Sequence, residues 1–149
     1  MDDPRVRLQA DLKEAMRAKD RQRITVLRMA LNAIKQEEID KRVTLSAEDA
    51  TAILMREAKK RYESIQEAAK AGRTDIAEAE QQELNILEAY LPKQMTESEI
   101  AELVKEVIAE VGASSPKDMG NVMRVLMPRV KGQADGGLVN RIVREQLSG

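Results

Sequence analysis

Aliphatic residues recur at alternating spacings of three and four along most of this chain, the period with which a helix buries one face and a strand does not. Ile24, Leu27, Leu31 and Ile34 form the clearest stripe of the first half, and Ile100, Leu103, Val104, Val107, Ile108 and Val111 the broadest of the second. Charged residues make up 34% of the sequence and aromatic residues 1%. Solvated helices packed through Leu, Ile, Val, Met and Ala fit that balance, because rings are not available to fill a core. The fold class read from these patterns is all-α, with no strand.

Punctuation between the stripes divides the chain. Asp3-Pro4 reads as an N-cap followed by proline in the first turn, leading into Leu8, Leu12, Ala15 and Met16. The pattern pauses near Ala18-Lys19-Asp20 and again over Lys41 to Ser46. Ser46 with Asp49 has the form of a capping box, opening a helix with Ala50, Ile53, Leu54, Ala58, Ile65 and Ala69 inward. Gly72 marks its end, Thr74 is placed to cap a fourth helix carrying Ile76, Leu84, Leu87 and Leu91, and Pro92 stops it. Beyond that proline, Thr96 and Glu99 make a second capping box, Ser115-Pro116 starts another helix, Pro128 is expected to kink it, and Asp135 caps the last. The predicted organisation is an N-terminal helical domain of about four helices over residues 1–92 and a three-helix domain over residues 93–149.

The residue inventory excludes much chemistry. With no cysteine and no histidine, the chain has no disulfide, no thiolate or imidazole metal site, no cysteine nucleophile and no Ser-His triad. No metal site and no cofactor are expected. A formal charge of −1 argues against a globally basic surface, and Tyr62 and Tyr90 as the only aromatics leave few platforms for stacking single-stranded bases. Any RNA it binds would be folded RNA read by shape and phosphates. The start of the chain carries no basic leader followed by an apolar run, and no stretch approaches membrane-spanning length. The expectation is a cytoplasmic protein that does not engage a membrane.

The most pointed segment is Met119 to Leu147. Two apolar stripes, Met119/Val122/Met123/Leu126 and Leu138/Val139/Ile142/Val143, meet at the basic, glycine-rich turn Lys131-Gly132-Gln133-Ala134-Asp135-Gly136-Gly137. From Ser115 onward, cations outnumber anions by three. Arg129, Lys131, Arg141 and Arg144 could line a phosphate-facing edge, or serve as solvated cations near helix ends. Gly136 and Gly137 in a first turn each cost about 1 kcal/mol of helix propensity relative to alanine, which points to close approach by a ligand or by the neighbouring helix. Asn140 could bond RNA or brace the turn. Lys59-Lys60-Arg61 and the scattered Lys13, Arg17, Lys19, Arg21, Arg23 and Arg28 could extend an RNA-binding surface, but read as solvated faces. The pairs Glu37/Lys41, Glu38/Arg42 and Glu57/Arg61 have the spacing of intrahelical ion pairs. The Met119/Met123/Met127 stripe reads as core, with an adaptable binding surface as the alternative.

The run Val130-Lys-Gly-Gln-Ala-Asp-Gly-Gly-Leu-Val-Asn140, followed by Arg141 to Leu147, resembles the tail domain of the B subunit of the glutamine-dependent aminoacyl-tRNA amidotransferase. Ile86 to Gln94 and Gly112 to Gly120 narrow the resemblance to the free-standing GatB/YqeY family, over nearly the whole chain. That resemblance implies an accessory tRNA-associated protein, holding the tRNA body by its backbone through Arg129, Lys131, Gly132, Asn140, Arg141 and Arg144. A tRNA-handling enzyme is a further implied partner. The family also implies carbon–nitrogen ligase activity with glutamine as amido-N-donor, yet no amidase signature, ATP cradle or phosphate loop accompanies the tail, so the chain is not expected to catalyse alone. A protein-protein adaptor is the remaining alternative.

Overall fold

The computed structural model describes residues 2–149. Seven α-helices run in order: α1 (Pro4–Ala18), α2 (Arg21–Lys41), α3 (Ala47–Lys70), α4 (Thr74–Glu88), α5 (Glu97–Val111), α6 (Met119–Val130) and α7 (Gly136–Ser148). A 3₁₀ turn, Pro116–Asp118, leads into α6. Among the described residues there is no strand. The chain divides into two compact units, Met1–Leu91 and Pro92–Gly149.

In the first unit α1 packs on α2 and α3 on α4, with α2 also touching both α3 and α4. Its core gathers Leu8, Ala15, Val26, Leu27, Ala30, Ile34, Leu54 and Leu87, with Tyr90 at the end of the unit. Arg5 ties the open end together. It pairs with Asp3 at 2.8 Å and with Glu38 at 3.0 Å, and donates to the Leu45 carbonyl at 2.6 Å, while Glu38 also accepts from the Leu45 amide at 2.8 Å. The expected Glu38/Arg42 pair is therefore not formed, because Glu38 faces the more enclosed guanidinium of Arg5. The Glu37/Lys41 pair is formed, at 2.8 Å. Arg61 leaves Glu57 to Lys60 and turns into the α3–α4 contact, where it pairs with Glu83 and Glu80. Lys59-Lys60-Arg61 is thus not one basic face.

Three local expectations are corrected. Ala69 is exposed and Ala68 buried, because over a 24-residue helix the inward stripe drifts and the turn after Ile65 brings position 68 to the core. Ile76 is exposed, and α4 starts at Thr74 with Arg73 before it and no side-chain cap. Met16 is 48% exposed, outside the core. Two helices end on a left-handed residue that is not glycine: Lys19 closes α1 and Arg42 closes α2, both at φ 55°, a conformation that disfavours a Cβ by about 1–2 kcal/mol.

In the second unit α5 packs on α6 and α7, which also pack on one another. Ile100, Val104, Val107, Val122, Leu126, Val130, Val139 and Val143 are fully buried between them, and Met119, Met123 and Met127 flank this core half-buried. Thr96 and Glu99 form the reciprocal capping box that starts α5, satisfying two donors that a helix start leaves open. α6 runs through Pro128 to Val130.

Candidate functional site

The glycine-rich turn closes the second unit on itself. Gly132 takes φ 80° just past α6, a position where any side chain would be strained. Its carbonyl accepts from the Gln94 amide nitrogen Nε2 at 3.0 Å, and the next carbonyl, of Gln133, accepts from the Met95 backbone N–H at 2.8 Å. A Cβ on Gly132 would meet the Pro92 ring at 3.8 Å. Asp135 caps α7 by accepting from the Leu138 N–H at 3.2 Å, and a Cβ on Gly137 would sit 3.2 Å from that same carboxylate. Glycine at 137 leaves room for the cap, so packing within the turn accounts for it. At Gly136 a Cβ would meet only the Met127 methyl, at an ordinary 3.7 Å.

The cations of this region are exposed and tethered. Arg129 makes a two-pronged bond to Glu110, at 2.7 and 3.1 Å. Arg141 reaches Glu97 at 2.8 Å and Glu145 at 3.3 Å. Arg144 donates to the side-chain oxygen of Asn140 at 2.8 Å, and Lys131 sits exposed in the turn. The Arg129 guanidinium holds the Glu110 carboxyl below its usual range, and Glu110 raises Arg129 in return. Glu97 and Glu110 lie near opposite ends of α5, roughly 20 Å apart at 1.5 Å per residue. Arg129 and Arg141 are consequently fastened to two ends of one helix and do not form a single cluster, while Arg141, Asn140 and Arg144 share the outer side of α7.

A basic surface lies in the first unit, formed by residues that are scattered in sequence. A concavity of about 490 Å³ between the end of α1 and the start of α2 is lined by Met16, Lys19, Arg21, Ile24, Thr25 and Arg28. Three cations border it and no carboxylate does. The Asp20 side chain, between Lys19 and Arg21 in sequence, accepts instead from the Arg23 N–H at 3.2 Å as the N-cap of α2. Lys19, Arg21 and Arg28 enter no ion pair among the described residues; Arg28 merely approaches the Met16 sulfur at 4.0 Å. The signal available in sequence was the pause at Ala18-Lys19-Asp20, which brings two helix ends together with their basic residues.

Tyr90 is the third feature. It is 7% exposed, its hydroxyl donates to Asp11 at 2.5 Å, and the Arg7 guanidinium lies 5.0 Å from the ring centre. Burial, together with the Asp11 carboxylate, pushes its ionisation up. Among the described residues no group of three carboxylates is arranged to hold a metal ion, and no helix is long and apolar enough to cross a membrane.

The fold defines an all-α protein of two helical units, with a basic concavity where α1 meets α2. The chain belongs to the YqeY-like protein family, whose model matches residues 5–147. It is similar to proteins named altered inheritance of mitochondria protein 41, mitochondrial. The relative from Pyrenophora tritici-repentis is 34% identical over 93% of this chain and 78% of its own length. That from Lachancea thermotolerans is 37% identical over 73% of this chain and 60% of its own length, and that from Clavispora lusitaniae 32% identical over 72% and 64%.

These relatives overturn two expectations. They carry no name of an amidotransferase subunit or of a tRNA-associated protein, so the accessory tRNA-holding function inferred from the tail-like turn does not stand. The residues behind that inference build a helix–turn–helix whose backbone is occupied in its own closure, and such a unit fixes a fold without fixing a function. The cytoplasmic expectation is corrected likewise, since the relatives are named as mitochondrial proteins.

Proposed function

We propose that the chain takes part in the process its fungal relatives are named for, the inheritance of mitochondria, and that it acts by surface recognition in that organelle. One observation carries this reading: likeness to the Pyrenophora relative extends over 93% of the chain, through both helical units. The junction between α1 and α2 falls within the family match, so the shared part contains the concavity as well as the C-terminal turn. In this reading α1–α4 and α5–α7 are separately folding domains, which their separate apolar cores support.

Rescue in a fungus tests the proposal. A strain lacking its own relative would express this chain behind a mitochondrial leader, and the distribution of mitochondria to daughter cells would be scored. Normal inheritance is expected. An imported, folded chain that leaves inheritance altered refutes the shared role.

A further inference from the structure

We infer that the α1–α2 concavity is a docking site for an acidic, amphipathic peptide segment of a partner protein. The inference builds on the recognition reading above but stands on the concavity itself. Its lining is cationic at Lys19, Arg21 and Arg28, none of them ion-paired among the described residues, and apolar at Met16 and Ile24. Cations without an ion pair occur elsewhere in the chain, but these three line one concavity that no carboxylate lines. In a chain with one more acidic than basic side chain, a carboxylate-free cationic lining is a local departure that an incoming anion would satisfy.

Two details give the surface its shape. Lys19 holds the left-handed position that ends α1, where glycine would be favoured sterically, so the turn presents a cation at a site that disfavours a side chain. Met16 leaves the apolar stripe of α1 and opens to solvent. A thioether is an adaptable apolar contact that can repack against different partners. Carboxylates against the three cations and an aliphatic side chain against Met16 and Ile24 are together the pattern of an amphipathic segment laid into a groove. A nucleic acid would satisfy only the cations: neither tyrosine lines the concavity, so no ring is there on which a base could stack.

The probe is a fluorescein-labelled peptide of about four helical turns with Glu and Leu at i, i+3 and i+4 spacing, titrated with the full chain and followed by anisotropy. A peptide with Gln in place of Glu is the control. Saturable binding is expected, weakening as salt rises, lost by roughly tenfold or more in the combined K19E, R21E and R28E variant, and retained in the K105E and R124E variant of the second unit. Because charge reversal near helix ends can disturb folding, the wild-type chain supplies a second readout. On peptide addition, the Met16 and Ile24 methyl resonances should shift more than those of Met123 and Val139. Equal binding of the Gln peptide, unchanged affinity in a folded triple variant, or shifts confined to the second unit would overturn the site. So would an RNA hairpin that displaces the peptide and shifts the same methyls more strongly. Loss of peptide binding with intact rescue in the fungus would remove this site and leave the proposed role standing.

Discussion

Replacing Tyr90 with phenylalanine removes one oxygen from a buried ring and leaves the packing in place. The hydroxyl donates to the Asp11 carboxylate at 2.5 Å, and a hydrogen bond to a charged group contributes about 1.5–3 kcal/mol. Contact between Arg7 and the ring, 5.0 Å from its centre, survives the substitution because the attraction is to the ring face. Asp11 is half-buried, so water recovers part of the loss, and Tyr90→Phe should lower stability by about 1–2 kcal/mol. For a unit of this size that is a fall of roughly 4–16 °C in Tm, measurable by thermal or urea denaturation at neutral pH. The pH dependence supplies a second check. Since folding raises the ionisation of Tyr90, its contribution is complete below the ordinary tyrosine value near 10 and disappears as pH climbs through the raised value. The difference between wild type and Tyr90→Phe should therefore be constant from pH 7 to about 9 and shrink above about 10. A difference below about 0.5 kcal/mol at pH 7, or one that grows in alkali, would refute the assignment of the bond as stabilising.

Three further substitutions test other links. Arg42→Gly should stabilise the chain by about 1 kcal/mol in urea unfolding, because relief of the left-handed Cβ strain outweighs the greater freedom of the unfolded glycine. Leu126→Ala, at a fully buried position of α6, should destabilise the second unit by about 2–5 kcal/mol, seen as earlier loss of helical circular dichroism. Arg5→Ala frees Glu38 and the Leu45 carbonyl and should cost about 2–3 kcal/mol at pH 7. The Arg5 guanidinium also holds Asp3 below its usual range, so this part of the difference is present above the ordinary carboxylate value and is lost as pH falls through the lowered one; acid titration of both proteins would show the curves converging.

Helix content and most starts were legible because caps and apolar periods are local. Thr96 and Glu99 lie within one turn, and the information that starts α5 is contained there. The ends of α1 and α2 were less visible, since Lys19 and Arg42 take a conformation that sequence associates with glycine. Ion pairing was the least legible. Arg61 and Glu38 each have a partner at helical spacing, yet Arg61 pairs with Glu83 and Glu38 with Arg5, because a guanidinium shielded between helices attracts a carboxylate more strongly than a solvated one does. The C-terminal turn lies between α6 and α7 where its glycines place it, but the tethers of Arg129 and Arg141 come from α5, 19 and 44 positions away. The α1–α2 concavity is not legible in sequence because its basic residues belong to two helices and adjoin only once the intervening turn is formed.

The bonds from Gln94 and Met95 to the turn after α6 have a consequence for biosynthesis. The Gln94 bond spans 38 residues, so the opening of the second unit waits for a partner that leaves the ribosome much later. Arg5 in the first unit closes onto Leu45 across 40 residues while more than half the protein is still unmade. At about 5–20 residues per second, several seconds separate these two closures. In the last part of that interval α5 is complete, and its broad apolar stripe stays uncovered until α6 and α7 follow.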